Sequence, residues 1–377
     1  MHRAAWARER FGATQADELF AALERVDPIA DALVTWLEDR PFDLAAAWAD
    51  YRAGRIQAEP IRALFESIAT PPRWVDWARV DRARGLFERA GIFGGFVLSL
   101  RSLMGGYIAP AGNKPLAFSG RLREQVPRRV AETARFVAAV AAPEGLRAGA
   151  EGWRITLEVR LMHAQVRRLL WASGRWDRAR WAEPINQHDM LATVLLFSEV
   201  YVEGLRVLGF AVSQAEAEDW VHLWCVVGWL MGTEAALLPR DYAQAQGQRE
   251  LIESTQGEPD EDSQALAAAL LGTSPEHASA WMRQANRLRL GFARGLSRRL
   301  IGGETADRLG IPSAPNWERG LAALPVAIGV LERVRMHVPG VEDELRGLGR
   351  RYWAWVVDAS LRGRPATYER PGRLAGV

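Results

Sequence analysis

Almost nowhere does this chain alternate β-branched and polar residues as a strand would. Ala, Leu, Arg and Glu dominate instead, and these are strong helix formers. The expected fold is therefore all-α, a single globular domain of many helices. Thr14-Gln-Ala-Asp17 reads as an N-cap with an acid at its third position, opening a helix to about Val26. Further helices are expected near 28–38, 42–53, 58–69 and 74–90, with Pro71-Pro72 as a break. An apolar segment, 92–109, precedes a Pro- and Gly-containing loop at 109–116. Then come helices near 120–141, tolerating Pro127, and 148–173, stopped by Gly174. Others follow near 187–208 and 214–233. The polar, acidic stretch 245–262, with Glu258-Pro-Asp-Glu-Asp262, reads as a surface loop or internal boundary. Helices near 275–309, 315–336 and 340–362 complete the count.

Composition closes off several functions. The net charge is +2, with no basic stripe interleaved with aromatics, so nucleic-acid binding is not expected. The single cysteine, Cys225, excludes a disulfide framework or a Cys-based metal centre within the chain. The N-terminus lacks an apolar stretch of signal-peptide length, and the expected location is cytoplasmic. The segment 92–109 is the best membrane candidate. It is interrupted by Arg101 and diluted by glycines, so no membrane span is expected.

The chemistry concentrates in Arg160-Leu-Met-His163-Ala-Gln-Val-Arg167. On a helix these three polar positions fall within an arc of about 60°. One imidazole can ligate a metal, and two flanking guanidiniums can each hold a carboxylate in bidentate fashion. A haem presents an iron at its centre and two propionates at its rim, so the spacing suits a haem seat. The same pattern also describes a buried histidine whose arginine neighbours pair with acids from other helices. The other histidines point less clearly: His188 reads as a capping or supporting residue, His222 as a core residue beside Trp220 and Trp224, and His277 and His337 as surface or capping residues. No His-Glu-x-x-His zinc spacing and no Gly-rich phosphate cradle occurs. Sixteen tryptophans are many for this length. Most read as core, and some could line an apolar channel.

Arg160-Leu-Met-His163-Ala-Gln-Val-Arg167, with Arg129-Val-Ala-Glu132-Thr133 placed 30 residues before the histidine, resembles the signature of the DUF2236 family. Latex-clearing rubber oxygenases and the prenyl-chain oxygenase of mycophenolic acid biosynthesis belong to that family. Glu183-Pro-Ile-Asn-Gln187-His-Asp189, Phe197-Ser-Glu199, Gly204-Leu-Arg-Val-Leu-Gly209 and Trp224 to Gly232 extend the similarity across about 70–245. The resemblance implies a b-type haem with His163 as proximal iron ligand. Arg160 and Arg167 would seat the propionates, and Arg129, Glu132 and Thr133 would lie over the distal face. It divides the chain into an N-terminal helical segment packed on the core (1–70), a haem-binding core (71–245) and C-terminal helices completing the same domain (246–377).

Two departures from the family bear on activity. Where latex-clearing enzymes carry a distal lysine, this chain has Glu132; its one lysine is Lys114. Where they carry a glutamate before the distal helix, it has Asn113. The resulting expectation is a haem-dependent oxidoreductase, oxygenase-like, acting with O2 or peroxide on an apolar, unsaturated or isoprenoid small molecule, and not on rubber. Glu132 would be a distal acid or a partner of Arg128 or Arg135. Peroxidase-like chemistry and a non-catalytic haem sensor are the alternatives.

Overall fold

The computed structural model describes residues 2–38, 40–118, 126–272, 280–361, 370–372 and 374. Among these residues the secondary structure is helical throughout, as the composition requires. Ten helices position the candidate site and its surroundings: α1 (Pro28–Leu37), α2 (Trp77–Val97), α3 (Pro110–Phe118), α4 (Val126–Val140), α5 (Glu151–Ala172), α6 (Gln187–Phe197), α7 (Gln214–Leu230), α8 (Glu261–Leu271), α9 (Leu324–His337) and α10 (Val341–Leu361).

Short polar side chains start many of them by accepting from first-turn N–H groups that have no helical partner. Asp27 caps α1, Asp76 caps α2, Asn186 caps α6 and Asp260 caps α8. Ser213 and Glu216 form a reciprocal capping box at the start of α7. Thr14 does not cap: that helix begins at Ala13 behind Gly12, and Asp17 pairs with Arg8.

α7 runs through the middle of the molecule. Every residue from Asp219 to Gly228 is buried, the pattern of a helix enclosed on all sides. Its two polar core residues are satisfied. Asp219 takes Arg79 and Arg82, and the His222 Nε2 accepts from the Asp76 N–H at 2.9 Å. Around it α2, α4 and α6 supply aromatic contacts, α5 packs alongside, and α10 reaches the same stack through α2. Trp224 stacks on Phe197 at 4.6 Å and meets Phe136 edge-on, while Phe87 stacks between Trp220 and Trp353.

Several regions differ from the sequence expectation. The stretch 109–116 is not a loop but helix α3, with Pro115 inside it. Buried side chains hold it there. Asn113 Nδ2 donates to the Tyr107 carbonyl and the Ser263 hydroxyl, while Lys114 pairs with Asp260, at 2.7 Å, and with Asp262. The acidic segment read as a surface loop therefore caps α8 and neutralises the chain's one lysine. Helix also continues through Tyr242–Thr255, leaving only a short connection before Asp260. The expected helix 187–208 breaks at Ser198 into α6 and Glu199–Val207. No single helix among the described residues is long and apolar enough to cross a membrane.

α10 lies so close to α2 that only glycine fits between them. α2 kinks at Gly91 (φ 47°), and a Cβ at Gly349 would stand 1.6 Å from the Glu88 carbonyl oxygen. Arg346 and Arg350 clasp the Glu88 carboxylate at 3.1 and 3.2 Å beside this contact. Gly349→Ala must therefore push two backbones apart and should destabilise by at least about 1–3 kcal/mol. Gly347→Ala on the same helix meets only the flexible tip of Arg350 at 3.6 Å and should be neutral or stabilising. Urea denaturation of the two variants checks the contrast.

Candidate functional site

α5 carries the Arg-His-Arg pattern and is buried along most of its length. One side of it is packed solid: Trp153, Leu157, Arg160, Ala164 and Arg167 are all buried. On the other side Val159, Met162, His163 and Val166 keep part of their surface accessible. Their spacing, i, i+3, i+4 and i+7, makes one continuous face. His163 thus stands where the packed side gives way to the open, apolar one.

The His163 ring makes no hydrogen bond, and its Nδ1 is enclosed without a partner. Buried polar atoms are nearly always paired, so an orphaned imidazole nitrogen needs a reason. Burial first, and then the Arg167 guanidinium, hold its pKa down to about 4, against a smaller opposing pull from Asp27. The ring is therefore neutral at physiological pH and has a lone pair to give a metal. A ring that is surrounded by protein yet borders open space, uncharged and unbonded, has the chemistry of a metal ligand.

The guanidiniums on either side have partners from this chain. Arg160 grips Asp27 in bidentate fashion, Nε at 2.6 Å and Nη2 at 3.0 Å, with both side chains buried. Arg167 pairs with Asp31 and donates to the carbonyls of Pro184 (3.0 Å) and Ile185 (2.9 Å). Burial outweighs Arg167 at Asp31 and pushes that carboxyl up to about 6. The arginines that the sequence reading reserved for propionates thus bind the N-terminal acids of α1. The physical reason lies in their position on the helix: they fall on the packed side of His163, away from Val159, Met162 and Val166.

Two loops complete this frame. Gly232 (φ 90°) touches the ion pair so closely that a Cβ there would lie 2.3 Å from Asp27 Oδ2 and 2.7 Å from Arg160 Nε. Gln187 bridges both loops, donating to the Val26 and Gly232 carbonyls while accepting from the Glu234 N–H. Ala182 (φ 56°) and Ile185 (φ 52°) hold positive φ, a strained conformation for residues with a Cβ, in the segment that presents its carbonyls to Arg167. The Glu183 to Asp189 motif is in effect a clamp on α1 and α5. Asp27 and Asp31 were not singled out from sequence, and the Glu183 to Asp189 motif stood out there only through the family resemblance, without this role. Asp-Pro at 27–28 signals a helix start, but nothing local reveals that the capping acid also meets Arg160.

α4 packs against α5. Thr133 shares its inward face with the buried Val137 and Val140, at a level where the helix regains accessible surface. Glu132 lies on the flank and accepts from Arg128 Nε at 3.0 Å. Arg135 instead pairs with Glu151. The side chain of Arg129 lies outside the described residues, as does His277. Asn113 is committed to Tyr107 and Ser263, and His188 Nδ1 lies 3.0 Å from its neighbour Asp189. No cluster of three or more His, Cys, Asp or Glu side chains suited to a metal ion occurs among the described residues. Trp220 and Trp224 are core, whereas Trp171 is half-exposed and donates to Glu183.

Residues 88–330 match the family described as ER-bound oxygenase mpaB/B'/Rubber oxygenase, catalytic domain. The chain is 25% identical to a rubber oxygenase of Streptomyces sp. (strain K30) over 326 residues, covering 84% of this chain and 74% of that protein. Its fold is similar to that of a latex clearing protein in the closed state, with a TM-score of 0.69 at 23% identity, covering 88% of this chain and 91% of the other.

Removing one partner of a buried ion pair strands the other charge. Arg160→Ala should therefore destabilise the protein by about 3–5 kcal/mol. Arg178→Ala removes an exposed guanidinium from the exposed Glu24 and from Glu183, which keeps its hydrogen bond from Trp171, and should cost under about 1 kcal/mol. Chemical denaturation distinguishes the two. Equal effects would show that the Asp27–Arg160 pair carries no special weight.

Proposed function

The chain belongs to the family of mpaB-type and rubber oxygenase catalytic domains, and on that premise we propose that it is a haem b-dependent oxygenase acting on an apolar small molecule, unsaturated or isoprenoid in character. The observation that carries this reading is the unbonded, neutral His163 at the edge of an apolar helix face. Its imidazole would hold the iron. The haem, when bound, supplies the redox chemistry by which O2 or a peroxide is activated.

The protein's own contribution is positioning and exclusion of water. Asp27 and Asp31, through Arg160 and Arg167, fix the depth and rotation of α5 and thereby the direction of the imidazole. We assign these arginines to the frame, because contact with propionates would require them to leave the buried Asp27 and the partly buried Asp31. Val159, Met162 and Val166 would form the apolar wall on the ligand's side. Across from it, Thr133 would offer a hydroxyl to an incoming O2, peroxide or water. Glu132, one position along and partly shielded, is the adjacent acid able to pass a proton once it exchanges from Arg128. Arg129 remains proposed for the same distal face on the strength of the family resemblance alone.

Rubber cleavage is not part of the proposal. The groups that stand where latex-clearing enzymes carry a lysine and a glutamate are here an arginine-paired Glu132 and a structurally committed Asn113. Lys114 is no substitute, since it is held by Asp260 and Asp262.

Haem titration tests the assignment. Wild-type protein should bind haem with a Soret band characteristic of histidine ligation. His163→Ala should weaken binding by about a hundredfold or more while leaving the far-ultraviolet circular dichroism unchanged. An unaltered spectrum and affinity in that variant would overturn the ligand assignment. The loaded enzyme should release no oxo-terminated fragments from polyisoprene, and efficient cleavage would show that the lysine and glutamate are dispensable.

A further inference from the structure

α9 is attached to the molecule by few side chains. Of its 14 residues only Ile328 and Glu332 are buried, and Glu332 is engaged by Arg89, Arg335 and the Ala211 N–H. The outward side is apolar. Val330 is 52% exposed, Val334 41%, Leu331 40% and Val338 47%, and Ala323 and Ala327 continue the same stripe toward the N-terminus. No charged residue lies within it; Arg333 and His337 stand at one edge. The positions 323, 327, 330 and 334 recur at alternating intervals of four and three, the seam spacing of a two-helix coiled coil. Contiguous apolar surface of this kind on a soluble chain marks a place where something docks.

We propose that the occupant is α9 of a second copy of this chain, packed antiparallel about a two-fold axis between Val330 and Leu331. Two features of the stripe select this partner and this direction. The seam positions are graded in size, with Ala323 and Ala327 at the N-terminal end and Val330 and Val334 toward the C-terminal end, while Val326, 70% exposed, flanks the seam on the edge that also carries Arg333 and His337. Antiparallel pairing therefore sets each large end against the partner's small end, whereas parallel pairing would set large against large. Charge follows the same grading. The exposed Arg319 lies just before α9, and the exposed Asp343 and Glu344 just after it, none of them in an ion pair among the described residues. Antiparallel copies bring each end against its opposite charge, and parallel copies oppose like charges. The mixed charge also disfavours an anionic membrane surface, which Asp343 and Glu344 would repel. The seam is about 21 Å long, so the association should be concentration-dependent. This interface is independent of the haem proposal, as α9 contributes no residue to the His163 site.

Sedimentation velocity across a concentration series tests it. Wild type should shift from monomer to dimer, and Val330→Asp with Val334→Asp should remain monomeric with unchanged circular dichroism and thermal midpoint, because both residues are exposed. Direction is read by crosslinking under mild oxidation. The native Cys225 is buried, so an introduced cysteine reports alone. Val330→Cys, beside the axis, should give a covalent dimer, and Ala323→Cys, at the end of the seam, should not. A wild type that stays monomeric at every concentration, a dimer that survives both aspartates, or efficient crosslinking through Ala323→Cys would overturn the proposal. Flotation of a monomeric wild type with phosphatidylglycerol vesicles, abolished by the aspartates, would replace the second copy with a lipid surface.

Discussion

Two guanidiniums on one buried helix determine how this molecule is put together. An arginine cannot shed its charge, so burying Arg160 and Arg167 obliges the fold to bring anions to them. It does so with Asp27 and Asp31, one at the cap and one in the first turn of α1. That obligation ties a helix near residue 30 to one near residue 160. It requires a glycine at 232 to let the pair close and draws the carbonyls of Pro184 and Ile185 around the second arginine. Three stretches far apart in sequence become one unit around α5.

The histidine between the arginines takes its properties from that arrangement. The ion pairs hold one side of α5 against protein and leave the adjoining side, with Val159, Met162 and Val166, only partly covered. Burial and a nearby positive charge both act against protonation of His163. A neutral imidazole without a hydrogen-bond partner is costly to keep in a protein interior unless something else binds it. These ion pairs hold the imidazole at a constant depth on α5. Strain at Ala182 and Ile185 is the local penalty for presenting two consecutive carbonyls to Arg167.

Polar side chains elsewhere show the same economy. Lys114, which by sequence stood in a loop, is buried against two acids from a segment that also read as loop. The two partly exposed acids make the lysine's burial tolerable, and together these groups hold a proline-containing stretch as helix α3. Glu132 lies on the flank of α4 with Arg128, so the inward face of that helix presents Thr133 ahead of a carboxylate.

Much of this was legible in the chain itself. Helix-forming composition and missing strand alternation determined an all-α fold, because local propensity and apolar periodicity act over a few residues at a time. The same short range made α5 visible, with Arg160, His163 and Arg167 on one arc, whereas the Arg129 to Thr133 motif 30 residues earlier stood out only through the family resemblance. Tertiary structure decided which anions meet the arginines. Spacing along a helix shows that a guanidinium faces a carboxylate but not whose carboxylate it is, and Asp27 lies 133 positions away. It likewise decided that 109–116 is helical, since the stabilising partners of Asn113 and Lys114 come from residues 260–263. Interactions that close long loops leave no local trace in sequence, and here they determine the surroundings of the site.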